Sequence, residues 1–151
     1  SQLHSVVWAV GDLEAATAFF SGPAGLALRA TFPLTAPEVS TFMELPRPTA
    51  MRMSVLSHQD ARPPRFELLA FDPAAVRLGE GGHRPGRPLV AGAILPVFTT
   101  PDLDAVEELI GGTRTTDALG ERLEATAPGG VDLEVRAVAQ GNVGPFYAQV
   151  P

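Results

Sequence analysis

The 151-residue sequence predicts an α+β fold built from two copies of a βαβββ module, and three observations carry that prediction. An apolar strand followed by Asp-Leu-acid-Ala occurs twice, ending at Ala15 and at Ala105. Both copies close on an apolar strand with one glutamate on an alternating face, Arg65–Leu69 and Val131–Val135. The composition, 45% hydrophobic and 19% charged, suits a chain that buries a core, and a chain of this length buries about two thirds of its unfolded surface.

The first module opens on Val6, Val7, Trp8, Ala9 and Val10, a β-branched and aromatic run that reads as a strand. Asp12 is placed to cap the following helix, and Glu14 suits its positive first turn. That helix runs through Ala15, Ala16, Phe19 and Phe20 and stops at the Gly22-Pro23 and Ala24-Gly25 breakers. Leu26 to Phe32 and Met51 to His58 read as strands, and the turn Gln59 to Pro64 leads into the strand that carries Glu67. Between the first two of these lies an insertion, Pro33 to Ala50. Within it Thr35-Ala36-Pro37-Glu38 looks like a helix start, leading into Val39, Phe42, Met43 and Leu45. A lid beside a pocket and a decorative helix are both consistent with that pattern.

Gly79 to Pro88 is a glycine-rich linker, too short to separate independent domains, so residues 1–151 are expected to form one domain. Its parts are module one (1–78), the linker (79–88), module two (89–137) and a tail (138–151). The second module starts at Leu95 to Thr100, is capped by Asp102 and continues as a helix through Val106, Leu109 and Ile110 to the stop at Gly111-Gly112. Gly120 to Ala125 and Val131 to Ala137 read as strands joined by the turn Ala127 to Gly130.

Several function classes are disfavoured. A formal net charge of -6 and the lack of any Lys argue against a nucleic-acid partner. Without cysteine there is no disulfide framework, thiolate nucleophile or Cys-type metal site. The longest apolar runs are too short to span a membrane, and nothing at Ser1 resembles a signal peptide, so a cytoplasmic protein with no membrane partner is expected. The glycines from Gly79 to Gly86 lack the strand-to-helix setting of a dinucleotide loop.

In this order, LHSVVWAVGDLEAATAFF, FELLAFD, LPVFTTPDLDAVEELI and APGGVDLEV resemble the vicinal oxygen chelate superfamily of glyoxalases, ring-cleaving dioxygenases, epimerases and bleomycin-resistance proteins. The resemblance covers nearly the whole chain, apart from the insertion, the linker and the tail. It implies a glyoxalase-like, curled and partly open mixed β-sheet around a cavity, and a homodimer. It also implies, in metal-using members, one ligand from the first and one from the last strand of each module. The last-strand positions are Glu67 and Glu134. The first-strand positions, commonly histidine in the family, are Ser5 and Leu95; His4 is one residue off, which turns it to the opposite face unless a bulge intervenes. Two carboxylates without an imidazole make a poor transition-metal site, so no metal or other cofactor is expected. If a metal were bound, His4, Glu67 and Glu134 would be its ligands.

The expected partner is a small organic molecule in a pocket lined by Ser5, Val7, Glu67, Leu69, Phe71, Leu95, Val97, Glu134 and Arg136. Glu67 and Glu134 are the candidate catalytic groups. Each needs a partner or solvent if it stands in an apolar strand, and Arg136 is a possible internal partner for Glu134. A solvent-facing position is the alternative for both. Trp8 and Phe98 fall on the face turned to the helices. His58 and His83 read as loop residues, and Phe146 and Tyr147 either fold over the cavity mouth or a neighbouring subunit, or belong to a free tail. Three functions follow in order: a binder that sequesters an antibiotic-like or other specialised metabolite; a metal-independent lyase, isomerase or cyclase using Glu67 or Glu134; and a metal-dependent glyoxalase or dioxygenase.

Overall fold

The computed structural model describes residues 5–42, 44–45, 48–59, 65–72, 95–138 and 147–149. His4, His83, the linker 79–88, most of the turn before Arg65, and Phe146 lie outside the described residues. The chain divides into two compact units, Ser1–Glu80 and Gly81–Pro151, each holding one βαβββ module.

In the first unit β1 (Ser5–Ala9) leads into α1 (Leu13–Ser21). The carboxylate of Asp12 accepts from the Ala15 amide at 2.9 Å, as the capping reading requires. β2 (Ala27–Leu34), β3 (Met51–Ser57) and β4 (Arg65–Phe71) complete an open sheet of order β1-β4-β3-β2, with β1 parallel to β4 and the other pairs antiparallel. One face packs on α1 through Val6, Leu56, Phe66 and Leu68, against Leu13, Ala16, Phe19 and Phe20 of the helix, all buried. The Phe66 ring packs between Trp8, tilted at 4.4 Å, and Phe20, edge-on at 4.5 Å, so Trp8 is turned toward the helix as its phase predicts. Each such ring pair contributes about 1 kcal/mol beyond area burial.

β2 extends two residues beyond the predicted end at Phe32, to Leu34, because Pro33 at an edge strand costs no ladder bond. A register shift between Leu28 and Ala30 leaves Arg29 as the extra residue. Its guanidinium holds the bend, donating to Ser57 Oγ at 2.7 Å and to the carbonyls of His58 and Gln59 at 2.8 Å. The insertion contains the predicted helix as α2 (Pro37–Phe42), one and a half turns long.

In the second unit β5 (Leu95–Thr100) leads into α3 (Leu103–Ile110), capped by Asp102 on the Ala105 amide at 3.0 Å. β6 (Thr113–Asp117), β7 (Gly120–Ala127), β8 (Val131–Ala137) and β9 (Tyr147–Gln149) follow. The sheet order is β6-β7-β8-β5-β9. Leu123, Leu133 and Val135 are buried on one face, where Phe98 of β5 is the register partner of Val135.

Two features correct the sequence reading. β6 fills the third strand of the second module, unplaced from sequence because Thr-Arg-Thr-Thr-Asp has no apolar alternation and lies at an exposed edge. The tail is not wholly free: Tyr147–Gln149 adds an antiparallel strand to β5.

Candidate functional site

The two parallel strand pairs have the same register: Val7 lies opposite Glu67 in the first unit and Val97 opposite Glu134 in the second. Ser5, Val7, Glu67, Leu69 and Phe71 therefore share the face of the first sheet that is turned away from α1. Leu95, Val97, Glu134 and Arg136 likewise share one face of the second sheet. Within each unit the register thus sets these residues on one face, as their alternation in sequence predicts.

The surroundings of the two glutamates differ. Across the first sheet Glu67 stands in a row with Val7, Val55 and Ala30. It is half-buried, and its side chain makes no hydrogen bond or ion pair among the described residues. Val7 is 49% exposed and Phe32, one row further on the same face, 37%. Among the described residues this is an apolar, accessible surface carrying one carboxylate, with Arg65 at its end.

Glu134 is 1% exposed, which removes the solvent-facing alternative. Arg122 Nη1 donates to its Oε2 at 2.9 Å, and Arg136 Nε donates to its Oε1 at 2.5 Å. Arg136 also donates through both Nη atoms to Asp117, at 3.1 and 2.9 Å, and Arg122 lies 3.2 Å from Glu124. The register explains the pattern. Arg122 faces Arg136 across β7 and β8, and Glu124 faces Glu134. Like charges directly opposite repel, but two stacked rows of opposite sign give every charge a close counter-ion. Arg136 is thus the internal partner anticipated for Glu134, and Arg122 is a second one that the sequence reading missed. The Arg136 guanidinium, helped by the Leu119 amide, holds the Asp117 carboxyl down to about 2 from an ordinary value of 3.8.

This donor set does not suit a metal ion. Both oxygens of Glu134 are engaged by cations, and the neighbouring first-strand positions supply Val97 and Leu95, which have no ligand atoms. No cluster of three or more metal-ligating side chains occurs among the described residues.

A cavity of about 450 Å³ opens at the end of the first sheet, where β1 and β4 finish and α1 begins. Leu13, Met51, Ala70 and Phe71 give it an apolar floor. Asp12, Glu14, Arg52 and Asp72 bring charge, and Pro33, Thr35 and Ala50 bring the two ends of the insertion to its wall. Of the predicted pocket residues only Phe71 lines it. A groove of about 270 Å³ lies beside it, past Arg52 and Glu14, lined by Thr17, Thr31 and Ser54. Its hydroxyls are mutually bonded, Thr17 and Thr31 each lying 2.9 Å from Ser54 Oγ. No helix among the described residues is long and apolar enough to cross a membrane.

No family model and no curated protein matches the sequence. Among solved structures, 25 chains match. The chain is similar to a glyoxalase family protein from Bacillus cereus at a TM-score of 0.70 and 16% identity, covering 89% of this chain and 91% of that one. It is also similar to a possible glyoxalase from Bacillus cereus (TM-score 0.51, 17% identity, covering 89% and 97%). A glyoxylase/bleomycin resistance protein/dioxygenase domain from a Frankia species matches likewise (TM-score 0.51, 16% identity, 94% of each chain). The chain therefore has the glyoxalase-like fold, and the resemblance to the vicinal oxygen chelate superfamily holds at the level of fold.

Proposed function

We propose that this glyoxalase-like chain is a small-molecule-binding protein that has lost the metal site of its fold family and binds an antibiotic-like or other specialised metabolite. The observation that carries the reading is the clamp of Arg122 and Arg136 on Glu134. A carboxylate already neutralised by two guanidiniums has no charge to offer a metal, and a cation approaching it meets two fixed positive groups. Among the described residues, Glu67 is the carboxylate on an accessible apolar face, suited to orient a ligand whose body packs on Val7, Val55 and Phe32.

The test is native mass spectrometry with elemental analysis of chelator-free protein, followed by ligand screening against wild type and Glu67→Gln. Metal-free protein that holds a small organic molecule at stoichiometry, and holds it more weakly after Glu67→Gln, supports the reading. A stoichiometric first-row transition metal overturns it. The half-buried Glu67 side chain, without a partner among the described residues, favours a second reading, a metal-independent lyase, isomerase or cyclase in which it moves a proton. In that case the ligand turns over, and Glu67→Gln abolishes turnover without changing the fold.

A further inference from the structure

We infer that the ligand of the Glu67 face is a zwitterion of amino-acid type, an oxyanion and an ammonium side by side on an apolar body. The inference rests on the reading of that face as the binding site. β4 turns Arg65, Glu67 and Leu69 to the same side, so that cation, anion and apolar group follow one another at steps of about 6.6 Å. The neighbouring strands keep the order. Ser5 and Ser57 stand beside Arg65, Val7 and Val55 beside Glu67, and Met53, followed by Phe32, beside Leu69. An α-amino acid presents the complementary groups in the same order: carboxylate, ammonium, side chain.

The second module shows such a pair in its closed form. Glu134 and Arg136 are also two residues apart on one strand, and Arg136 Nε donates to Glu134 Oε1 at 2.5 Å. Arg65 and Glu67 have the same spacing, yet no ion pair joins them and neither side chain has a partner among the described residues. A closed pair neutralises itself. An open pair offers two charges of opposite sign to a ligand that carries both, and it disfavours a ligand with only one, which the other group of the site repels.

Arg29 reinforces the positive end. Its bonds to Ser57 Oγ and to the carbonyls of His58 and Gln59 fix a second guanidinium beside Ser57, the register partner of Arg65. The gradient orients the ligand. Its carboxylate lies at the exposed Arg65 end, its ammonium on the half-buried Glu67, and its side chain over Met53 and the accessible ring of Phe32.

The experiment is an amide-resolved NMR titration of the full chain with L-phenylalanine, and with 2-phenylethylammonium and 3-phenylpropionate, which keep the ring and one charge each. Phenylalanine is expected to give saturable shifts centred on Val7, Val55 and Glu67 at a Kd of about 1 mM for a probe of this size. Each analogue is expected to bind about five-fold more weakly. Arg65→Gln should weaken phenylalanine to the level of 2-phenylethylammonium, and Glu67→Gln should weaken it to the level of 3-phenylpropionate. Either analogue binding this face as tightly as phenylalanine overturns the zwitterion while the face stands as a binding site. Shifts centred elsewhere, or none with any probe up to about 10 mM, also overturn the inference, and the loss of the metal site is then still decided by mass spectrometry and elemental analysis.

Discussion

Glu67 and Glu134 hold equivalent places in the two modules, each the register partner of a valine on its module's first strand. Yet the carboxylate of one bonds to nothing among the described residues, while two arginines engage the other. The difference lies in the neighbouring strand, which sets Val55 beside Glu67 and Glu124 beside Glu134, with Arg122 one step along the same face as Glu124. The two carboxylates therefore contribute differently to stability. Glu134→Gln is expected to lower it by about 1–3 kcal/mol, since a charge-assisted pair is lost and Arg122 is left facing Arg136. Glu67→Gln is expected to change it by no more than about 0.5 kcal/mol. Urea unfolding of both variants checks the contrast, and equal losses would show that Glu67 has a partner.

Removing the cations is the harsher change. Arg122→Leu or Arg136→Leu leaves Glu134 with one counter-ion and is expected to cost about 1–3 kcal/mol, whereas the double variant strands a buried carboxylate and costs about 3–5 kcal/mol. The double variant is expected to cost more than the two single variants together, because both cations share one partner. A double-mutant cycle read by denaturant midpoint tests it; simple additivity would mean that each arginine acts through a separate contact.

The acid limb of stability should report Asp117. Its carboxyl is held at about 2 in the folded chain against 3.8 ordinarily, chiefly by the Arg136 hydrogen bonds. A depressed folded value means that the unfolded chain takes up the proton first. The contribution is thus full above about pH 4 and is lost as the pH falls toward 2. Asp117→Asn should lower stability at neutral pH and flatten the dependence between pH 4 and 2. Denaturant midpoints collected across that window decide it, and an unchanged slope places the acid sensitivity elsewhere.

The faces of the strands, both helix caps and the inward turn of Trp8 were legible from sequence because they depend on period-two alternation and on contacts three residues apart. Arg122 was not, because its meeting with Glu134 depends on how β7 pairs with β8, and no local pattern states that register. The cavity was hidden for a similar reason: its lining comes from the ends of β2, β3 and β4, the start of α1 and the Gly11-Asp12 link before it, each unremarkable alone. The insertion's helix could be read, but not that Pro33, Thr35 and Ala50 at its ends would line the cavity.

Gly112 shows a requirement that the sequence reading gave only as a helix stop. It has φ +132, and a Cβ there would lie 2.6 Å from the Glu124 carbonyl oxygen and 2.9 Å from a methyl carbon of Leu123. Both the backbone conformation and the space demand glycine, whereas at Gly111 (φ +66) a Cβ meets nothing within 4 Å. Gly112→Ala must push α3 and the start of β6 away from β7 or distort the β7 backbone next to the clamp on Glu134. The expected loss is about 2–4 kcal/mol, combining backbone strain with overpacking, against about 1 kcal/mol for Gly111→Ala. Thermal or urea unfolding of the two variants tests the order, and the reverse order would place the tight approach at the helix end instead of against β7.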